Sequence, residues 1–157
     1  MSRDATPCEL TNMIMIRDRN NGKVVAIRRQ LSWTGVSFPG GHIEPGESIT
    51  DSVIREAREE TGLELLRVRP CGMVDWCHRE TGKRYLVWLF ICEDWRGELI
   101  PGTDEGVNFW AAPEELRQMP MSPHFETYLN VFLQENVSEA FGLHDDFTDD
   151  PMTLYRF

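Results

Sequence analysis

Three carboxylates set the chemistry that this sequence can do. Glu56, Glu59 and Glu60 lie in the segment Gly41 to Leu63, GHIEPGESITDSVIREAREETGL. At about 100° per residue a helix gathers all three on an arc of about 100°, with Glu56 and Glu60 only about 40° apart. Val53, Ile54, Ala57 and Thr61 fill a neighbouring arc that can face a core, and Asp51, Arg55 and Arg58 take the remaining side. Like charges at i, i+3 and i+4 destabilise a helix by a few tenths of a kcal/mol per pair, and by more when shielded from solvent, so they need cations. Taken alone, the helix favours a plain solvated face whose acids pair with Arg55 and Arg58. The segment in front shifts that balance. Pro39-Gly40-Gly41 and Pro45-Gly46-Glu47 form a glycine-rich loop running straight into the helix. Such a loop lets backbone carbonyls approach a metal and leaves N–H groups and the helix N-terminus free for an anion. Hard oxygen donors of this kind suit Mg²⁺ or Mn²⁺.

The elements that must hold these groups can be read from pattern. A helix is predicted over Ser48 to Thr61, with Ser48 and Asp51 as a capping pattern and Gly62 at the position that ends it. Strands are predicted at Met13 to Ile16 and Lys23 to Arg28, joined as a hairpin through Asn20-Asn21-Gly22. Further strands are predicted over Leu65 to Val74, Tyr85 to Cys92 and Val107 to Ala111. The run YLVWLFIC is apolar throughout, as a mid-sheet strand buried on both faces would be. Pro113 to Met119 reads as a short helical turn and Pro123 to Gln134 as a helix capped by Ser122. Beyond Asn136 an acidic stretch, Asp145 to Asp150, separates Glu139 to His144 from Met152 to Phe157. The aromatics Phe141, Phe147, Tyr155 and Phe157 favour a terminal hairpin packed on the rest over a frayed tail.

Composition narrows the class. The 157 residues carry 26 acidic and 16 basic side chains, a formal charge of −10, and 41% of them are apolar. That fits one soluble domain, with a core at about 11–134 and an extension over 135–157, large enough to need no metal or disulfide for stability alone. No apolar run approaches the roughly 20 residues of a membrane span, and Met1 to Leu10 lacks a secretory h-region, so a cytoplasmic protein with no membrane partner is expected. Cys8, Cys71, Cys77 and Cys92 show no zinc spacing and are expected to be free thiols. The acidic balance argues against a nucleic-acid polymer as partner, because a duplex binder normally carries a basic stripe to release counterions.

In the segment Gly41 to Leu63 the sequence resembles the Nudix hydrolase family. The family signature is a Gly, five residues, a Glu, seven residues, then Arg-Glu-apolar-any-Glu-Glu-any-Gly-apolar. Gly41, Glu47, Arg55, Glu56, Ala57, Glu59, Glu60, Gly62 and Leu63 fill every fixed position. The likeness covers roughly Thr11 to Gln134. It implies an α/β fold, an α/β/α sandwich around a mixed β-sheet, and hydrolysis of a nucleoside diphosphate linked to another group. It also implies that the Gly40 carbonyl, Glu56, Glu59 and Glu60 bind the metal, and that Arg55 and Glu47 form a supporting ion pair fixing loop to helix. The general base would be a box Glu or an acid on a distant loop, Glu105 first and Asp104 second; both also read as an ordinary solvated turn in GTDEG. Arg29 matches the family's phosphate-binding position, with Arg28 turned to the other sheet face. His42 stands where relatives often have Lys, and a histidine carries little of a lysine's charge at pH 7.

For the substrate, Trp33, Phe38, Asn108 and Phe109 could line a nucleobase slot, although residues of each type are more often plain core than a base platform. The stretch SWTGVSFPGG most resembles the MutT-type members, which hydrolyse oxidised purine nucleoside triphosphates to the monophosphate and pyrophosphate. The expected ligand is therefore a small nucleotide bound by a monomer or homodimer. The rival readings are a Nudix pyrophosphatase for ADP-ribose, a nucleotide sugar or a dinucleoside polyphosphate, and a non-catalytic nucleotide-binding module.

Overall fold

The computed structural model describes residues 4–146 and 151–157. Nine strands and three helices follow in the order β1 (Cys8–Ile16), β2 (Val24–Arg29), β3 (Gly35–Ser37), α1 (Ile49–Thr61), β4 (Glu64–His78), β5 (Arg84–Arg96), β6 (Gly102–Thr103), β7 (Gly106–Ala111), α2 (Pro113–Leu116), α3 (Phe125–Leu133), β8 (Val137–His144) and β9 (Thr153–Arg156) among the described residues. A five-stranded mixed sheet has the order β1-β5-β4-β8-β9, with β1 parallel to β5, β4 parallel to β8, and the other neighbours antiparallel. A four-stranded antiparallel sheet has the order β3-β2-β7-β6.

Pleat alternation divides the larger sheet into two faces. Ile14 and Ile16 of β1 and Phe90 and Cys92 of β5 pack with Val53 and Ala57 of α1. On the other side Met15, Leu89, Ile91, Val74 and Trp76 pack with Phe125, Leu129 and Phe132 of α3. The α/β/α layering expected from the sequence is the architecture observed. The apolar strand Tyr85 to Cys92 lies between β1 and β4 as its composition requires.

Several expectations are corrected. The turn at Asn20-Asn21-Gly22 forms, with Gly22 at φ 72° and its N–H donating to the Asp18 carbonyl at 2.8 Å. The strands it joins meet only at Arg17 and Val24 and then part into different sheets. Ile14 to Ile16 and Val24 to Ile27 are buried on both faces, so each strand needs cover on two sides, which a two-stranded ribbon cannot supply. β4 and β5 run past the predicted stretches, to His78 and to Arg96, and β3 carries too few residues to show a pattern. α3 starts two residues later than predicted, after His124 rather than Ser122, and α2 is one turn long. The terminal hairpin is present, β9 pairing antiparallel with β8, which itself adds to β4; Phe147 and residues 148–150 lie outside the described residues. The four cysteines are free, and among the described residues no helix is long and apolar enough to cross a membrane.

Candidate active site

Helix α1 is fixed at both ends before it presents its acids. Ser48 Oγ accepts from the Asp51 N–H at 3.0 Å, and Gly62, at φ 75°, donates its N–H to the Arg58 carbonyl at 2.9 Å. The buried stripe of Val53 and Ala57 then sets the rotation, leaving Glu56 and Glu60 at the edge of the core and Glu59 further out. Glu60 is 6% exposed.

The glycine loop closes on these carboxylates. Pro39 and Gly41 carbonyls accept from Ile14 and Asn12 N–H groups, both at 2.9 Å. The alternation of an extended segment turns the Gly40 peptide groups away from β1, and the Gly40 N–H donates to Glu60 Oε2 at 2.8 Å. A side chain on Gly40 would collide with the Asn12 carbonyl, and a Cβ on Gly41 would lie 2.5 Å from the Glu56 carboxylate carbon. Both glycines are needed because backbone and acid approach so closely.

Two guanidinium groups organise the acids. Arg55 clasps Glu47 with Nε and Nη2 at 2.7 and 3.0 Å, while its Nη1 reaches Glu56 at 2.8 Å and Glu59 at 3.2 Å. Its Nη2 also donates to the His42 carbonyl at 3.2 Å, tying helix to loop. Hydrogen bonding from Arg55 holds the Glu47 carboxyl down at about 2, and Glu47 in return raises the Arg55 pKa. Arg29 donates to Glu105 at 3.0 Å, lies 4.0 Å from Glu60, and gives its Nε to the Ser32 carbonyl at 3.1 Å. Burial pushes Glu60 up to about 7, against the Gly40 N–H and Arg29, and burial likewise raises Glu56 against Arg55. Five carboxyl groups, Glu47, Glu56, Glu59, Glu60 and Glu105, thus share two cations.

That surplus of buried oxygen and negative charge is what a hard divalent cation neutralises. Among the described residues no three acidic, histidine or cysteine side chains converge into a metal cage by themselves. The donor set that fits is Glu56 and Glu60 with the backbone at Gly40, Glu59 beside them, and solvent or substrate oxygens for the rest, as suits an ion shared with a phosphate.

All of this borders a cleft of about 620 Å³. Glu56, Glu59, Glu60 and Gly40 line it, as do Arg29, Asp104, Glu105 and His42. Trp33 lines it at 45% exposure and Phe38 at 1%, the latter wedged edge-on against Phe125 and Phe132 with centroids at 4.9 and 5.1 Å. Phe38 is therefore core floor rather than a platform. Asn108 is a correction: it does not line the cleft. It is 8% exposed, and its Nδ2 donates to the Glu60 carbonyl at 2.7 Å and to the Ile100 carbonyl at 3.1 Å, tying β7 to the end of α1. Phe109 lies under Arg28 on the other sheet face, 5.3 Å from its guanidinium. The sequence reading missed three further lining residues, Trp76, His124 and Tyr128. Trp76 Nε1 donates to Tyr128 Oη at 2.9 Å, and the His124 ring is 4.7 Å from the indole. The 3.6-residue spacing of Phe125, Tyr128 and Leu129 was visible; that Tyr128 sits at the boundary between core and cleft was not.

Residues 10–131 match the NUDIX domain family model. The chain belongs to the Nudix hydrolase family. It is 31% identical over 117 residues to an uncharacterised Nudix hydrolase, YvcI, of Bacillus subtilis, covering 73% of this chain and 72% of that one. It is also 31% identical over 130 residues to the CTP pyrophosphohydrolase of Escherichia coli, covering 80% and 90%. A MutT protein structure from Bacillus halodurans superposes with a TM-score of 0.76 over 93% of this chain and 97% of that one; at 22% identity it shows the shared fold. As a Nudix hydrolase this chain is a nucleotide pyrophosphohydrolase of a family that works with a divalent metal.

Proposed function

We propose that the protein cleaves a purine nucleoside triphosphate, including forms oxidised at the base, to the monophosphate and pyrophosphate with Mg²⁺. The observation that carries this reading is the mixed lining of one cleft: crowded carboxylates and Arg29 together with aromatic side chains, in a volume suited to one small ligand. The loop most like the MutT-type members, Ser32 to Gly41, contributes Trp33 and Gly40 to the lining.

Glu56, Glu60 and the Gly40 carbonyl would hold the ion, with Glu59 completing the set. The ion would neutralise phosphate oxygens and make a bound water more acidic. The chain supplies the rest. Arg29 turns its guanidinium toward the phosphates, releasing Glu105 from their present 3.0 Å contact. Glu105 borders the cleft with its side chain 45% exposed, and, on a turn held by the Gln30 N–H to its carbonyl at 2.9 Å, would take the proton of the attacking water, with the neighbouring Asp104 as the alternate. Arg55 and Glu47 keep Glu56 and Glu59 in register without touching substrate.

A second reading, a pyrimidine triphosphate such as CTP, is favoured by the 31% identity to an E. coli CTP pyrophosphohydrolase over 90% of its length. A non-catalytic module is disfavoured, since only metal binding offsets gathering these charges on one face. Pyrophosphate release from a panel of nucleotides with Mg²⁺ separates the readings. The proposal expects the highest kcat/KM among purine triphosphates, and a far higher value for CTP, ADP-ribose or a nucleotide sugar overturns it.

A further inference from the structure

Trp76 of β4 and Tyr128 of α3 both line the cleft, and the indole N–H donates to the phenol oxygen at 2.9 Å in a bond that is only partly buried. An indole N–H can only donate, so the phenol oxygen is the acceptor and its own proton is left over. That proton meets no acceptor among the described residues. Burial pushes the phenol pKa up, so the hydroxyl keeps its proton through neutral and alkaline pH and remains a donor.

The pair is seated with little freedom. Phe125, Leu129 and Phe132 bury one stripe of α3, and Tyr128 lies beside that stripe, one turn from Phe125 and one from Phe132. Its backbone N–H donates to the His124 carbonyl at 3.3 Å. The indole is fixed from the next strand. Gly142 of β8 stands in register with Trp76, and a Cβ on it would lie 2.6 Å from Cζ3 and 2.9 Å from Cε3 of the ring. The cross-strand partner of this tryptophan must therefore have no side chain. The His124 and His144 rings pack edge-on against the indole with centroids at 4.7 and 5.9 Å. β8 belongs to the extension beyond residue 134, so a segment remote from the carboxylate helix sets where the Trp76 N–H points.

A hydrogen-bond donor held in a cleft wall without an acceptor is costly until something that enters the cleft meets it. The phenol packs against the apolar cluster of Phe38 and Phe125 and bonds to an indole, surroundings that suit a flat ring rather than a phosphate. We infer that the Tyr128 hydroxyl donates to an acceptor atom of the bound nucleobase, a carbonyl oxygen or an unprotonated ring nitrogen, and that Trp76, seated against Gly142, is the positioning residue that turns the hydroxyl to the ligand. The inference rests on the nucleotide reading above. It gives the C-terminal extension a part in recognition of the base and none in the chemistry at phosphorus.

The test uses equilibrium titration of the Mg²⁺-loaded protein with the α,β-methylene analogues of dGTP and dCTP and, separately, with inorganic tripolyphosphate, which has no base. Tyr128→Phe removes only the oxygen and its proton, and should weaken the tighter-binding nucleotide analogue about 3- to 10-fold. Gly142→Ala displaces the indole from outside the cleft. It should weaken the same analogue at least about 2-fold, and should add less than about 2-fold on top of Tyr128→Phe, because both changes remove one bond. Tripolyphosphate affinity should move less than about 2-fold in every variant. Equal weakening of nucleotide and tripolyphosphate would make the pair merely structural and overturn the inference, as would an unchanged nucleotide affinity in Tyr128→Phe; an unchanged affinity in Gly142→Ala removes the positioning part. Should a variant fail to fold, the wild type decides. Engaging the phenol proton makes its oxygen a better acceptor, so the Trp76 indole N–H proton resonance should move downfield on saturation with the nucleotide analogue and stay in place with tripolyphosphate. A resonance unmoved by bound nucleotide overturns the inference. Pyrophosphate release measured alongside keeps the two proposals apart. A wild type that prefers CTP or turns over no triphosphate sinks the function reading, whereas the ratio of wild-type to Tyr128→Phe affinity still decides the part of the hydroxyl.

Discussion

Gly41 and Glu56 compete for one volume: a Cβ on Gly41 would lie 2.5 Å from the Glu56 carboxylate carbon and from its Oε1. The obstructing atoms are the free end of a flexible side chain, so Gly41→Ala should cost little stability and displace the carboxylate instead. A displacement of about 1 Å at a ligand lowers rate by up to about 100-fold. Gly40→Ala meets backbone, the Asn12 carbonyl, and should destabilise the fold by about 1–3 kcal/mol or more. Melting curves and turnover on the two variants check this; a Gly41→Ala enzyme of normal activity would remove Glu56 from the metal set.

Asn108→Ala is expected to act on the fold. Its amide satisfies two buried carbonyls, Glu60 and Ile100, and leaving them unpaired costs about 1–3 kcal/mol. The carbonyl of Glu60 belongs to the residue whose side chain faces the cleft, so turnover should fall with every nucleotide alike. Comparing kcat/KM between purine and pyrimidine triphosphates is the check, and a selective loss for one base would return Asn108 to the binding site.

How far the sequence exposed this arrangement depends on the range of the interaction. The α1 caps, the carboxylate arc and the Arg55–Glu47 pair are set by spacings of at most eight residues, and each was legible from the local pattern. Partners far along the chain were not. Asn108 is 48 residues from the carbonyl it serves, Ser122 is 89 from Trp33, and Trp76 is 52 from Tyr128. An amide beside an aromatic residue on a strand has the same composition whether it faces a ligand or a helix end. Likewise Asn20-Asn21-Gly22 specified a turn, but the buried faces of β1 and β2 decided that the strands would part.

Glu59→Gln and Glu60→Gln should each lower turnover at least about 100-fold, since each removes ligand charge with little change of shape. The two differ in environment. Glu59 is largely exposed and tied to Arg55, so its loss should leave stability unaltered; Glu60 is buried. Steady-state rates at saturating Mg²⁺ decide the point, and wild-type rates in either variant would refute its place in the metal set.

Glu60 also links stability to pH and to metal. Burial raises its pKa in the folded protein from 4.5 to about 7, so the folded state favours the protonated form more than the unfolded chain does. The folded state therefore loses stability as pH rises, beginning near 4.5 and ending above 7, by an amount on the order of 3 kcal/mol from this group. Glu56, raised by burial too, adds in the same direction. With EDTA present, the melting temperature should fall between pH 5 and 8, and Glu60→Gln should flatten that slope and melt higher than wild type at pH 8. Mg²⁺ binds the ionised acids of the folded state and stabilises it by mass action, so its shift in melting temperature should be larger at pH 8 than at pH 6 and should shrink in Glu60→Gln. A melting temperature indifferent to millimolar Mg²⁺ at pH 8 would refute the metal site, and a Glu60→Gln protein less stable than wild type under EDTA would show that Gly40 and Arg29 already compensate the buried charge.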